Sequence, residues 1–266
     1  MNRKEIYYFI GKCLILDDHP ELITTISESL KSRGFPLETF VKMGSDHLVL
    51  PALYRRFADA EIIELLPKEL GLHLKDIYEL NHKRNTRIRS QMLWMNSLFH
   101  SSGIRPVFIK GAGTLIDGLY ADPAERIMAD IDCLLSRNTC PLAADLLLKE
   151  GFAAPEMSDS DLAMMHHWPT LQKSGSEDID LHWQPVTQRY TGYLEGWEER
   201  TVSIKAESNQ SINLLSLKDK ILLNFLHCQL QDGGQHFARV SLRDAYEVYK
   251  LLRTEALNSS QKKMHF

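Results

Sequence analysis

Apolar residues recur every three or four positions through most of the first hundred residues, the spacing of helices with one buried face. The opening stretch "MNRKEIYYFIGKCLIL" predicts a helix; Lys12 interrupts its apolar run, and Asp17 and Asp18 follow it, which argues against a signal peptide. Glu21 to Leu30 predicts a second helix, closed by Gly34 and Pro36. Ser45 is placed to cap a helix running through "DHLVLPALYRRF", with Pro51 near its start or kinking it. A long helix is predicted from Pro67 to Ser102, where Ile77, Leu80, Ile88, Met92, Met95 and Phe99 recur at three- to four-residue or near-multiple spacings, Met92, Met95 and Phe99 reading as core, and Gly103 ends it.

The pattern then changes. "RPVFIK" (105–110) predicts a short strand, and "GAGTLIDGLY" (111–120) opens on glycines before turning helical. "ADPAER" predicts a loop and "IMADIDCLLS" a second strand. A helix is expected from Pro141 to Glu150, closed by Gly151. "WPTLQK" (168–173) and "EDIDLHWQ" (177–184) flank a Ser-Gly-Ser turn and predict a hairpin; "TVSIKA" (201–206) predicts a further strand. Helical periodicity returns over Leu214–Leu230, with Ser216 and Asp219 at its start, and over Ser241–Leu252. This divides the chain into a helical region (1–103), a mixed core (104–207) and a second helical region (208–266), an α+β organisation.

Composition narrows the function classes. A net charge of −4 over 266 residues gives no general attraction to nucleic acid or an anionic membrane. No apolar run approaches the ~20 residues a membrane span needs. Four scattered cysteines (Cys13, Cys133, Cys140, Cys228) show neither a C-x-x-C pair nor zinc spacing, which favours reduced thiols in a cytoplasmic protein. "NHKRNTRIRS" (81–90) is locally basic and reads as a solvated helix face, or as a nucleic-acid contact if it lines a cleft.

Asp130 and Asp132 stand inside an otherwise apolar strand, and burying unpaired charge is expensive. At i and i+2 they share a face, roughly 6.5 Å apart, close enough to converge on one cation or on a pair of cations. Asp178, Asp180 and His182 alternate with Ile179 and Leu181 on the later strand; if the strands are neighbours, one of its carboxylates faces the first pair. Such a group is destabilising without a cation and suits Mg²⁺ or Mn²⁺ better than zinc. His182 reads equally as a ligand, a substrate contact or a packed histidine beside Trp183. Upstream, the glycines of "FIKGAGTL" allow close backbone approach to a ligand, with Lys110 beside the turn and Arg126 four residues before Asp130.

The segment "KGAGTLIDGLYADPAERIMADIDCLL" resembles the signature of the polymerase-beta-like nucleotidyltransferase superfamily. It is particularly similar to a bacterial family of uncharacterised nucleotidyltransferases and is related in pattern to AbiEii-type toxins. "HHWPTLQKSGSEDIDLHW", "DHLVLPALYRRF" and "LRDAYEVYKLL" extend the likeness over most of the chain. The resemblance implies a polymerase-beta-like core, a small mixed sheet with flanking helices, between the two helical segments. It implies transfer of a nucleoside monophosphate from an NTP to an acceptor hydroxyl by a two-metal (Mg²⁺ or Mn²⁺) mechanism. By position, Asp130, Asp132 and Asp180 become metal ligands and catalytic residues, Asp180 also being the candidate base. Lys110, Gly111, Ala112, Thr114 and Arg126 become nucleotide contacts, with Thr114 replacing a serine usual at the turn. His182 and His167 become possible substrate contacts. The acceptor, whether tRNA, protein or small molecule, is not specified. A metal-dependent phosphoesterase and a non-catalytic, antitoxin-like nucleotide-binding module are the alternatives; the Gly111-Ala112 departure from the usual glycine pair permits the latter.

Overall fold

The computed structural model describes residues 1–206 and 210–264. The protein is α+β and packs as two compact units, each assembled from separated stretches of chain.

The first unit comprises Met1–Asn85, Tyr120–Ile127 and Ser241–Glu247. Its helices are α1 (Arg3–Leu14), α2 (Leu22–Lys31), α3 (Leu37–Asp46), α4 (Leu50–Asp59) and the first half of α5 (Lys68–Ser101). Asn2 and Glu5 form a reciprocal capping box at the start of α1. Ile6, Ile10, Phe40 and Phe57 are buried in the core, the two phenylalanine rings stacked 6.2 Å apart. The single helix predicted from Ser45 is two helices. α3 ends at Asp46, Leu48 takes a left-handed φ of 57°, and α4 begins at Leu50 with Pro51 in its first turn. Proline has no N–H to give and its ring clashes with the carbonyl four residues back, so the chain must restart a helix there.

The second unit comprises Thr86–Leu119, Met128–Val240 and the chain from Val248. Its further elements are β1 (Val107–Phe108), α6 (Lys110–Ile116), β2 (Asp130–Leu134), α7 (Cys140–Lys149), α8 (Asp159–Met164), β3 (Asp178–His182), β4 (Val202–Lys205), β5 (Ser211–Leu214), α9 (Leu217–Phe225) and α10 (Leu242–Met264), the last shared with the first unit. The strands form one mixed sheet in the order β3-β2-β1-β5-β4. β3 runs parallel to β2, β2 antiparallel to β1, β1 parallel to β5, and β5 antiparallel to β4. The predicted hairpin is present as antiparallel pairing of Leu171 with Ile179, which adds residues 168–172 beyond β3.

Alternation along the strands builds two cores. Ile131, Cys133, Ile179 and Leu181 point to one face and pack with Ile88, Met92, Met95 and Phe99 of α5 and with Ala143 and Leu147 of α7. Leu134, on the other face, joins Val107, Val186, Trp197 and Leu223 in a second cluster. Two side chains of α5 tie the sheet to it. Gln91 donates to the Glu177 carbonyl at 2.8 Å and accepts from its N–H at 2.9 Å, and Asn96 donates to the Ser211 carbonyl at 3.2 Å.

The glycines expected at a ligand-binding turn lie inside α6, which starts one residue before them; Gly111 and Gly113 are buried. A Cβ at Gly113 would stand 2.8 Å from the Phe108 carbonyl oxygen, so this glycine lets α6 close on β1. Gly113→Ala is therefore expected to destabilise the protein by about 1–3 kcal/mol, the backbone clash outweighing the better helix propensity of alanine. Urea unfolding measures this, and a variant as stable as wild type would show the close approach to be unimportant.

Candidate active site

The parallel register of β2 and β3 sets Asp130 beside Asp178 and Asp132 beside Asp180. Because alternate residues share a face and both strands are in phase, all four carboxylates lie on one side of the sheet, opposite the core formed by Ile131 and Ile179. One step further along, Leu134 stands beside His182.

Asp132, Asp180 and His182 converge: each offers a ligand atom within 4.8 Å of the others. Asp132 is buried, and its Oδ1 accepts two hydrogen bonds, from Lys110 Nζ and from His182 Nε2, each 2.7 Å long. Burial alone would raise the Asp132 pKa. The Lys110 charge and the His182 hydrogen bond outweigh it and hold the carboxyl well below its ordinary range. His182 is fully enclosed; burial lowers its pKa, opposed by the hydrogen bond and charge of Asp132. Nε2–H faces the carboxylate, while Nδ1 is buried with no hydrogen-bond partner. Asp180 Oδ1 accepts from the Thr170 hydroxyl at 2.7 Å, and Asp178 Oδ2 accepts from Gln172 Nε2 at 2.7 Å.

Lys110 reaches Asp132 from an unusual backbone. It opens α6 directly after β1 with φ of 51°, a left-handed conformation that side-chain-bearing residues seldom adopt. Strain of this kind persists where surrounding structure over-determines the conformation, and it clusters at functional sites.

The carboxylates open into a cleft of about 490 Å³, lined among others by Asp130, Asp178, Asp180, His167, Thr170 and Met165. Three imidazoles meet at this site: the rings of His166 and His167 lie 4.7 Å apart, and those of His167 and His182 5.2 Å apart. Burial, then the neighbouring histidines, lower the His166 pKa to about 4. His167 donates from Nδ1 to the Trp168 carbonyl at 2.7 Å.

The donor set suits a divalent cation. Two carboxylates within reach of one ion are hard oxygen ligands, with His182 bonded to one of them, and no hydrogen bond among the described residues reaches Asp132 Oδ2 or Asp180 Oδ2. A family model for uncharacterised nucleotidyltransferases matches residues 34–262. The chain belongs to this family.

Loose structural likenesses accompany the match. The antibiotic-resistance factor ANT(2'')-Ia in solution shares 12% identity, with 68% of this chain and 100% of that chain covered and a TM-score of 0.43. An antigenic nucleotidyltransferase-like protein from Paracoccidioides brasiliensis shares 16% identity, covering 64% of this chain and 77% of its own at a TM-score of 0.41. ANT(2'')-Ia in complex with adenylyl-2''-tobramycin gives 12% identity, 67% and 98% coverage, and a TM-score of 0.39. Among curated proteins, none matches the sequence.

The other residues expected at the site are distributed as follows. Asp130 lines the cleft on the same face as Asp132 but lies outside the converging set of three. Ala112 and Thr114 are buried within α6, Thr114 Oγ1 donating to the Gly111 carbonyl at 3.2 Å. Arg126 belongs to the first unit, where it is buried: Nε donates to Glu247 at 2.7 Å and Nη1 to the Ile127 carbonyl. Asn81 and Asn85 of α5 hold the same segment through the carbonyls of Pro123, Ala124 and Arg126. Arg56 bridges Asp17 and Glu125, and Tyr246 donates to Glu125 at 3.2 Å. Thr170 and Gln172 escaped the sequence reading. Their alternation in "WPTLQK", set against the hairpin register, would have placed them facing Asp180 and Asp178.

Among the described residues, no helix is long and apolar enough to cross a membrane.

Proposed function

We propose that the protein transfers a nucleoside monophosphate from an NTP to an acceptor hydroxyl, releasing pyrophosphate and a proton, at the carboxylate cleft of the second unit. The observation carrying this reading is the convergence of Asp132, Asp180 and His182 in a chain of the nucleotidyltransferase family. Asp132 and Asp180, with Asp130 beside them, would hold divalent cations, Mg²⁺ or Mn²⁺ in a pair, which neutralise charge developing on the transferring phosphate. His182 orients Asp132 through the hydrogen bond to Oδ1, as outer partners do for ligating carboxylates. Thr170 fixes the rotamer of Asp180, which faces the cleft and is placed to take the acceptor's proton. Lys110 supplies the positive charge for the triphosphate; buried Gly111, Ala112 and Thr114 shape the helix that carries it.

The acceptor is a hydroxyl of tRNA, protein or a small molecule. Family membership favours this reading over phosphoester hydrolysis, and the complete carboxylate set favours it over a non-catalytic module. The test is incubation with each α-labelled NTP, Mg²⁺ or Mn²⁺ and fractionated cell extract. Label is expected in one acceptor fraction with stoichiometric pyrophosphate. Release of free NMP without an acceptor would support the phosphoesterase, and no turnover or NTP binding would support the module.

A further inference from the structure

One cation already sits on the carboxylate cluster, and it belongs to the chain. Lys110 Nζ contacts the same Asp132 oxygen that His182 holds. The two partners differ in one respect: the Lys110 side chain is 22% exposed and the His182 side chain 1%. His182 is locked in place, whereas the lysine has a path to solvent. Four carboxylates share this face, and Asp132, the most enclosed of them, is the one the ammonium contacts.

Resting on the function proposed above, we infer that Lys110 is an exchangeable stand-in for the divalent ion: it occupies Asp132 until the ion binds, then gives its charge to the incoming triphosphate. An ammonium at hydrogen-bond distance from a ligand oxygen repels a divalent ion approaching that oxygen. It therefore weakens metal binding in the nucleotide-free protein. A triphosphate carries enough negative charge to draw the ammonium away, so nucleotide and metal bind cooperatively, each favouring the state in which Lys110 has left Asp132. Lys110 stands at the β1–α6 junction with a left-handed backbone, strain of the kind held in place at functional sites.

The test is Mn²⁺ affinity, read by electron paramagnetic resonance without nucleotide, for wild type and three variants. Lys110→Met removes the charge and keeps a long side chain; it is expected to bind Mn²⁺ about 10-fold more tightly or better. Lys110→Gly removes the charge and also relieves the left-handed φ, so it tests the same point with the backbone strain removed. Lys110→Arg keeps the charge and is expected to bind as weakly as wild type. A non-hydrolysable NTP analogue should tighten Mn²⁺ binding to wild type by more than it does for Lys110→Met. If wild type binds Mn²⁺ and neither uncharged variant binds it more tightly, the exchange is wrong while the proposed function stands. If no protein binds Mn²⁺ with or without the analogue, both readings fall.

Discussion

Asp132→Asn is expected to lower nucleotidyl transfer by about 10³-fold or more and to abolish Mn²⁺ binding, with the fold retained. Asparagine has the shape of aspartate, and its Oδ1 still accepts from Lys110 and His182, so the local packing survives. The converging set loses one of its two carboxylates. Stability changes through two opposing effects. The charge-assisted bond from Lys110 weakens, but repulsion from Asp130 along the strand and from Asp180 across it is relieved. Since the lysine can turn to water, the net loss should stay within about 2 kcal/mol. Transfer assays, Mn²⁺ titration and urea unfolding separate these quantities. Transfer within a few-fold of wild type would remove Asp132 from the chemistry, and a collapse of stability would make it a structural residue.

The second large effect is on stability. Glu247→Ala is expected to cost about 3–5 kcal/mol, because it strands the Arg126 guanidinium in the interior of the first unit. Burial lowers the pKa of that guanidinium, but the charge and hydrogen bond of Glu247, together with the nearby Tyr120 and Asp244, more than offset it; the group stays ionised above its ordinary value. An ionised group of this kind cannot escape the loss of its partner by giving up a proton. Removing both charges with apolar residues of similar volume, Arg126→Met with Glu247→Leu, should restore most of the loss. The double-mutant cycle thus distinguishes a buried pair from a phosphate contact. If Arg126 contacts nucleotide, Arg126→Met raises the KM for NTP and leaves unfolding in urea unchanged. If it is a clasp, the unfolding midpoint moves and the double variant recovers it.

Features with a local signature were legible in the sequence. Asp130 and Asp132 alternate with Ile131 and Cys133, and strand geometry leaves only one way to bury that apolar pair while the carboxylates face away from it. The hairpin could be read from its turn, and the long helix from Ile88, Met92, Met95 and Phe99. What escaped depends on separation along the chain. Arg126 lies four residues from Asp130, yet its partner Glu247 is 121 residues away. Gln91 clamps the backbone of Glu177 across 86 residues. Neither pairing leaves a periodic trace. β5 escaped for another reason: Ser211–Leu214 is short and half polar, and it becomes a strand through its pairing with β1 and β4. The glycines of α6 illustrate a residue type with two uses. Close approach was expected toward a ligand, and at Gly113 it serves the carbonyl of Phe108.

The in-phase pairing of β2 and β3 also acts as a proofreading device for folding. A slip of one residue would trade Asp178 and Asp180 for their hydrocarbon neighbours, driving charge into the oily layer and isoleucine into water. Misaligned forms are thus disfavoured by charge burial and isoleucine exposure together. A chain that reaches its stable state arrives with its acidic groups already assembled, so the acidic face needs no separate maturation step.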